Sequence, residues 1–331
     1  MKKLLILAYD FPPYVSVGGL RPYSWYRYLK EFGVEPTLVT RQWENKYGNE
    51  LDYISPSASK ETIIEETEYG TIIKAPFFPS LANRLLLKHG KKKYKFLRKA
   101  LTAIDEIRQY LYILTPKKQV YYSAKKYLKN NKVDAIIATG EPFVMFFYAK
   151  KLSQKYNIPW IADYRDPWSQ NKARRINKFL IRINTYFETK ISNTANCITT
   201  VSVFLKKTIE ENVFDKTFHI IPNGYNPELI DETAKKTQSS KKLTISFIGT
   251  IYKWHPWQSF LNVFTKLATN NHNIKIDFYG INNVDEVKSY IASLPEKVQN
   301  QIKIYPKLQN KELMQKNANA NVFLLFNDYS I

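Results

Sequence analysis

The sequence predicts an α/β protein made of two doubly wound, Rossmann-like domains facing a cleft. Three observations carry that reading. Short, continuous apolar runs recur along the chain, each bounded by Gly, Pro, Asn or Asp. Segments with helical spacing lie between them, which is the rhythm of buried parallel strands and their crossover helices. At 331 residues the chain exceeds one ordinary core, and residues 231–242 (DETAKKTQSSKK) follow neither period, so they read as a linker. The expected domains are therefore 1–230 and 243–331.

In the first domain, Lys3–Tyr9 is an apolar strand closed by Asp10, Pro12, Pro13, Gly18 and Gly19. Leu20–Phe32 has helical character and stops at Gly33; Pro36–Thr40 is a second strand. Residues 41–70 read as a polar, acidic loop region, and Gly70–Ala75 as a short strand. After a basic segment the rhythm resumes. Strands are expected at 135–139, 158–163, 197–200 and 219–221, with a helix from Gly140-Glu141-Pro142 through Lys155 and another over 176–193. Ser202 is a suitable N-cap for the next helix. The second domain repeats the pattern: strands at 243–248, 274–279, 302–305 and 322–326, helices near 258–268, 285–293 and 311–318. It stops on a strand after about 90 residues, short of a usual doubly wound domain, so a missing C-terminal part is expected.

Composition narrows the function. With 44% hydrophobic and 15% aromatic residues the chain is not disordered. One cysteine, Cys197, excludes a disulfide scaffold and fits a reducing compartment. Four scattered histidines lack metal-ligand spacing. No apolar run approaches the roughly 20 residues of a membrane span. Met1-Lys2-Lys3 resembles a signal-peptide start, but the apolar stretch ends at Asp10, so a buried strand explains it better. Net charge is +21, and residues 81–132 alone hold 15 Lys and Arg against Asp105 and Glu106. Such a field attracts polyanions, or else is a solvated basic face. Phe96, Leu97, Ala100, Leu101, Ile104, Ile107 and Leu111 recur at helical spacing among these charges, the pattern of an amphipathic helix lying on an anionic membrane. Tyr110, Tyr112, Tyr121 and Tyr122 suit either the lipid interface or the core.

Ligands of doubly wound sheets bind beyond the carboxyl ends of strands. Gly18-Gly19, Gly140-Glu141, Asp163–Trp168, Pro222-Asn223-Gly224 and Gly249-Thr250 all fall there. In that order they resemble a GT-B glycosyltransferase of the family 4 type, in the branch that makes bacterial surface polysaccharides. The resemblance rests on Pro12-Pro13 with Gly18-Gly19 after the first strand, on Ile158–Trp168 (IPWIADYRDPW), on Ile220–Asn226 (IIPNGYN) and on Ile245–Thr250 (ISFIGT), and it covers the whole chain. It implies a retaining, metal-independent transferase with a nucleotide diphosphate sugar as donor substrate, no further cofactor, and a lipid-linked or polysaccharide acceptor. The donor domain would be the second one.

The expected roles follow. Gly18 and Gly19 bring backbone amides to a phosphate at a helix N-terminus, or form an ordinary tight turn. Arg21 adds a charge-assisted bond to the same anion. Asp166 orients an acceptor hydroxyl or takes its proton, and Arg165 holds a phosphate or pairs with Asp166; alternatively both belong to a loop that positions Trp168. Glu141 binds an acceptor hydroxyl or satisfies a helix dipole. Asn223 shapes a turn between the domains. Gly249, Thr250, Lys253 and His255 face the donor phosphates. Two departures stand out: the family's usual Arg after the Gly249 position is Thr250 here, and its acidic E-x7-E motif would lie beyond Ile331. Weak donor binding by these 331 residues is the expectation. Two other functions compete, a GT-B sugar-nucleotide 2-epimerase and a non-enzymatic polyanion binder. The basic amphipathic segment disfavours the first, and the lack of any nucleic-acid motif disfavours nucleic acid as a partner. The expected location is cytoplasmic, peripheral on the inner face of the membrane.

Overall fold

The computed structural model describes residues 1–14, 16–44, 50–171, 178–225 and 242–326. It divides into two compact units, Met1–Gly224 and Tyr225–Ile331. Apart from Lys242, the expected linker lies outside the described residues.

The first unit runs β1 (Lys2–Leu7), α1 (Val17–Tyr28), a 3-10 turn (Leu29–Phe32), β2 (Val34–Arg41), α2 (Glu50–Ile54), β3 (Ile63–Thr67) and β4 (Gly70–Ala75). Three helices follow: α3 (Leu81–His89), α4 (Lys95–Arg108) and α5 (Lys118–Leu128). Then come β5 (Ala135–Gly140), α6 (Val144–Tyr156), β6 (Trp160–Tyr164), α7 (Lys178–Ser192), β7 (Cys197–Thr200), α8 (Val203–Glu210) and β8 (Thr217–Ile220). The strands form one sheet in the order β3-β4-β2-β1-β5-β6-β7-β8, parallel except for the β3–β4 pair. Both faces are covered. Leu5, Leu7 and Tyr9 pack with Val39, Val120, Phe146 and Phe147, while Ile6 and Ala8 pack on the other side with Phe11, Tyr26 and Leu38. A strand buried on both faces needs no polar alternation, which is why β1 reads as one apolar run. Gly33 ends the first helical stretch at φ 75, its N–H bonding the Lys30 carbonyl at 3.1 Å. This left-handed position is one glycine adopts without strain. Ser202 caps α8 as expected, its Oγ accepting from the Leu205 N–H at 3.1 Å.

Two expectations need correction. Residues 41–70 hold α2 and β3 as well as loop. In β3 the pair Ile63-Ile64 is exposed and followed by two glutamates, because the strand lies at the sheet edge and buries neither face. Gly18 and Gly19 lie inside the first turn of α1 rather than ahead of it. In the basic segment α4 buries no residue at all. Tyr110 and Tyr121 are core residues, whereas Tyr112 and Tyr122 are exposed.

The sheet register builds a polar cluster in the interior. Thr139, Asp163 and Thr199 are ladder partners on β5, β6 and β7, so their side chains share one face. Asp163 is fully buried and accepts from Thr139 Oγ1 at 2.9 Å and Thr199 Oγ1 at 2.7 Å. Arg21 of α1, also buried, closes the cluster with Nη2 at 2.9 Å and Nε at 3.1 Å from Asp163 Oδ1. Its Nη1 donates to the Ile221 carbonyl at 2.8 Å, beyond β8.

The second unit runs β9 (Leu243–Ile248), α9 (Trp257–Asn270), β10 (Ile274–Tyr279), α10 (Val284–Ala292), α11 (Glu296–Gln299), β11 (Ile302–Tyr305), α12 (Asn310–Asn317) and β12 (Val322–Phe323). Its parallel sheet has the order β11-β10-β9-β12 around a core of Phe247, Leu261, Phe264, Ile276, Phe278 and Val287.

Removing one partner of a buried ion pair strands the other charge, at a cost of about 3–5 kcal/mol. We expect Arg21→Met to destabilise the first unit by that order in urea unfolding. A loss below about 1 kcal/mol would show that Asp163 finds adequate partners without Arg21.

Candidate functional site

In the first unit the strand order reverses at β1, with β2 on one side and β5 on the other. The crevice at the carboxyl ends of β1 and β5 is therefore the switch point where such sheets take ligands. The chain places Asp10 and α1 there after β1, Gly140-Glu141 after β5, and Arg165 after the neighbouring β6. A pocket of about 410 Å³ lined by Lys2, Lys3, Leu29, Val34 and Asp134 lies at the amino ends of β1, β2 and β5, where no such ligand rule applies.

Ser16 organises the entry to α1. Its Oγ accepts from the Gly18 N–H at 3.1 Å and donates to Asp10 Oδ2 at 2.8 Å, and its carbonyl accepts from the Gly19 N–H at 3.1 Å. The two glycine amides expected to meet a phosphate thus cap their own helix. What the glycines supply is close approach. A Cβ on Gly19 would stand 3.2 Å from the Phe11 backbone, and one on Gly18 only 2.3 Å from Arg165 Nη1.

Arg165 clasps the turn after β5. Its Nε donates to the Gly140 carbonyl at 2.7 Å and its Nη2 to the Glu141 carbonyl at 2.9 Å, which leaves Nη1 against Gly18. It pairs with these carbonyls and not with Asp166, which is exposed on the loop beyond. That loop is anchored by Trp168, buried and stacked on Phe143 at 4.9 Å. Glu188 of α7 secures it from below, its Oε2 accepting from the Ser169 hydroxyl at 2.5 Å and the Ser169 N–H at 3.2 Å. Burial pushes the Glu188 carboxyl above its ordinary pKa, and the Ser169 and Asn212 hydrogen bonds oppose the shift.

Arg21, expected beside Gly18 as a phosphate ligand, is instead committed to Asp163 and the Ile221 carbonyl, and so serves the scaffold. Asn223 and Gly224 are exposed at the end of the unit. Asp10 is the acidic group at the switch point. Burial raises its pKa, and the Ser16 hydrogen bond and the nearby Arg165, Lys117 and Arg41 cations oppose that. Lys117, half-buried with Nζ 5.5 Å from the Tyr9 ring centre, has its pKa lowered, chiefly by burial.

In the second unit the order reverses at β9, so the switch point lies at the carboxyl ends of β9 and β12. One loop carries all four expected residues there. Gly249 turns the chain at φ 112 and Thr250 is exposed. The Ile251 N–H is fixed by Asn282 Oδ1 at 2.8 Å. His255 closes the loop: its N–H donates to the Tyr252 carbonyl at 3.0 Å and its Nδ1 accepts from the Tyr252 N–H at 3.3 Å. Burial lowers the His255 pKa. Lys253 is exposed between Tyr252 and Trp254, whose rings stack at 4.5 Å and 5°.

Residues 22–229, well over half of the chain, match the model of Glycosyltransferase Family 4. The chain belongs to that family. Solved structures place this family 4 chain in the GT-B fold. It is similar to sucrose-phosphate synthase from Thermosynechococcus elongatus, with TM-score 0.62, 12% identity, 98% of this chain and 75% of that one covered. It is similar too to the catalytic domain of starch synthase IV from Arabidopsis thaliana bound to ADP and acarbose, with TM-score 0.58, 12% identity, 97% and 77% covered. Anabaena HepE in complex with UDP-glucose matches with TM-score 0.51, 11% identity, 98% and 73% covered. Among curated proteins none matches the sequence.

Sequence reasoning about this family 4 chain missed Asp10, Ser16 and Lys117. Asp10 carried a readable signal, an acid directly after an apolar parallel strand. Ser16 and Lys117 carried none, since their roles depend on how the chain returns to the sheet. The glycines give a contrast to measure. We expect Gly18→Ala to change stability by less than about 1 kcal/mol, because the tip of Arg165 swings away. Gly140→Ala would press its methyl within 2.5 Å of the buried Phe143 ring and should cost about 1–3 kcal/mol. Thermal unfolding that ranks the two the other way would show that Arg165, not Phe143, is the rigid neighbour.

Proposed function

We propose that this chain transfers a sugar, with retention and without a metal, from a nucleotide diphosphate sugar to a lipid-linked or polysaccharide acceptor in bacterial surface glycan synthesis. The observation that carries the reading is the clasped Arg165 beside Gly18 at the switch point of a family 4 domain. A guanidinium held by two backbone carbonyls is preorganised, so little reorganisation is needed when a polar substrate arrives. In this reading Arg165, Glu141 and Asp166 face the acceptor, while Gly249, Thr250, Lys253 and His255 face the donor phosphates. Nucleotide sugar is the donor class supported by family membership, and two similar structures are bound to ADP and to UDP-glucose.

The acceptor class draws support from α3 and α4. Among the described residues no helix is long and apolar enough to cross a membrane. Yet α4 exposes Phe96 by 87% and Leu97 by 50%, beside exposed Lys91, Lys92, Lys93, Lys95 and Lys99. Apolar rings among lysines match an anionic bilayer, where each basic residue contributes about 1 kcal/mol. The protein then works at the cytoplasmic face of the membrane, where a lipid-linked acceptor is within reach.

Incubating the chain with radiolabelled UDP-, GDP- and ADP-sugars and a bacterial lipid extract tests the transfer. Label should enter the lipid fraction from one donor class, and no incorporation from any of them would count against the reading. For docking, changing Lys91, Lys92, Lys93 and Lys95 to Glu should abolish co-sedimentation with phosphatidylglycerol vesicles. Undiminished binding would remove the membrane from the proposal.

A further inference from the structure

Asp10 follows β1 at the switch point, and the transfer described above gives it no role. Its Oδ2 is occupied by the Ser16 hydroxyl. Its Oδ1 is buried and has no hydrogen-bond partner among the described residues. A buried oxygen left unpaired is costly, more so when charged, so native structures keep few of them. No neighbouring cation bonds to it among the described residues. Arg165 carries the opposite charge to Asp10, but its Nε and Nη2 are held on the Gly140 and Glu141 carbonyls. Nη1 therefore stops against Gly18, two hydrogen bonds along the Ser16 cap from Asp10, and makes no hydrogen bond among the described residues.

The turn thus carries an acceptor that lacks a donor and a donor that lacks an acceptor, linked through Gly18 and Ser16. A hydroxyl group satisfies both, because it donates one proton and accepts on its lone pairs. A phosphate does not, since it brings only acceptors and sets its own charge against the Asp10 carboxylate. We infer that Asp10 and Arg165 form a seat for a sugar hydroxyl of the acceptor, Asp10 Oδ1 accepting its proton in a hydrogen bond and Arg165 Nη1 donating to its oxygen. The inference rests on the transferase reading and names the carboxylate that reads the acceptor, a part sequence reasoning gave to Asp166. The glycine at position 18 belongs to the same device, because any side chain there would push Nη1 out of the seat.

Saturation-transfer NMR tests it, with methyl α-glucoside, methyl α-galactoside and methyl α-mannoside as probes. The wild-type chain should transfer saturation to at least one of them. Asp10→Asn keeps the shape and an oxygen for Ser16 but turns a donor toward Nη1, so that contact should weaken at least about tenfold, the worth of a hydrogen bond to a charged group. Gly18→Ala should weaken it as well, which keeps the test valid if Asp10→Asn folds poorly. Asp134→Asn, at the amino end of β5, should bind like wild type. Wild-type chain that binds none of the glycosides, or variants at 10 and 18 that bind normally, would overturn the seat. The donor assay separates the two ideas: glycoside binding indifferent to Asp10 alongside intact sugar incorporation sinks only the seat. Asp10-dependent binding without consumption of any nucleotide sugar sinks only the transferase reading.

Discussion

Everything at the first unit's switch point hangs on a dry ion pair. Asp163 sits on β6 between two threonines that the ladder register places beside it, and Arg21 reaches it from α1. Two hydroxyls and a guanidinium fork satisfy a carboxylate that would be prohibitive alone in that interior. The same arginine also bonds the Ile221 carbonyl, so one side chain joins the first helix, the middle of the sheet and the segment after its last strand. An arginine can do this because its fork serves two acceptors at once; a lysine offers a single point charge and would have to give up one of them.

Fixing α1 sets the positions of its first turn. Gly19 then rides on the Phe11 backbone, where a methyl would be tight at 3.2 Å, and Gly18 on the tip of Arg165, which a methyl would displace. Two arginines near one glycine pair have divided the work between them. Arg21 is buried and neutralised, holding the frame together. Arg165 is half-buried with one nitrogen facing the crevice, and its other two nitrogens keep it from collapsing onto Asp10. The gap between Arg165 and Asp10 is therefore a product of the clasp on Gly140 and Glu141. Asp10 Oδ1 stays without a hydrogen-bond partner among the described residues.

Much of this architecture was legible in the amino-acid order. Strands buried on both faces announce themselves as apolar runs, so β1, β5, β7, β9, β10 and β11 fall where the runs lie, and Gly33 and Ser202 mark helix ends by their local chemistry. Edge structure was not legible, because β3 buries neither face and its glutamates look like loop. Nor could sequence separate the two arginines. Both follow glycines or strand ends, and only the register that sets Thr139 and Thr199 beside Asp163 reveals which arginine goes inward. The loop from Gly249 to His255 follows β9, but its stacked Tyr252 and Trp254 and the Asn282 anchor depend on folding.

One further constraint links the surface to the crevice. The basic hairpin of α3 and α4 is inserted between β4 and β5, in the crossover that carries the chain from one flank of the sheet to the strand beside β1. The chain regains the sheet at Lys117, immediately before α5, and there the ammonium lies over the Tyr9 ring next to Asp10. Glu106 at the end of α4 and Asp10 at the switch point both act on that one ammonium, whose charge burial already disfavours. A helix with no fully buried residue and a carboxylate with one unpaired oxygen thus both act on a single half-buried lysine.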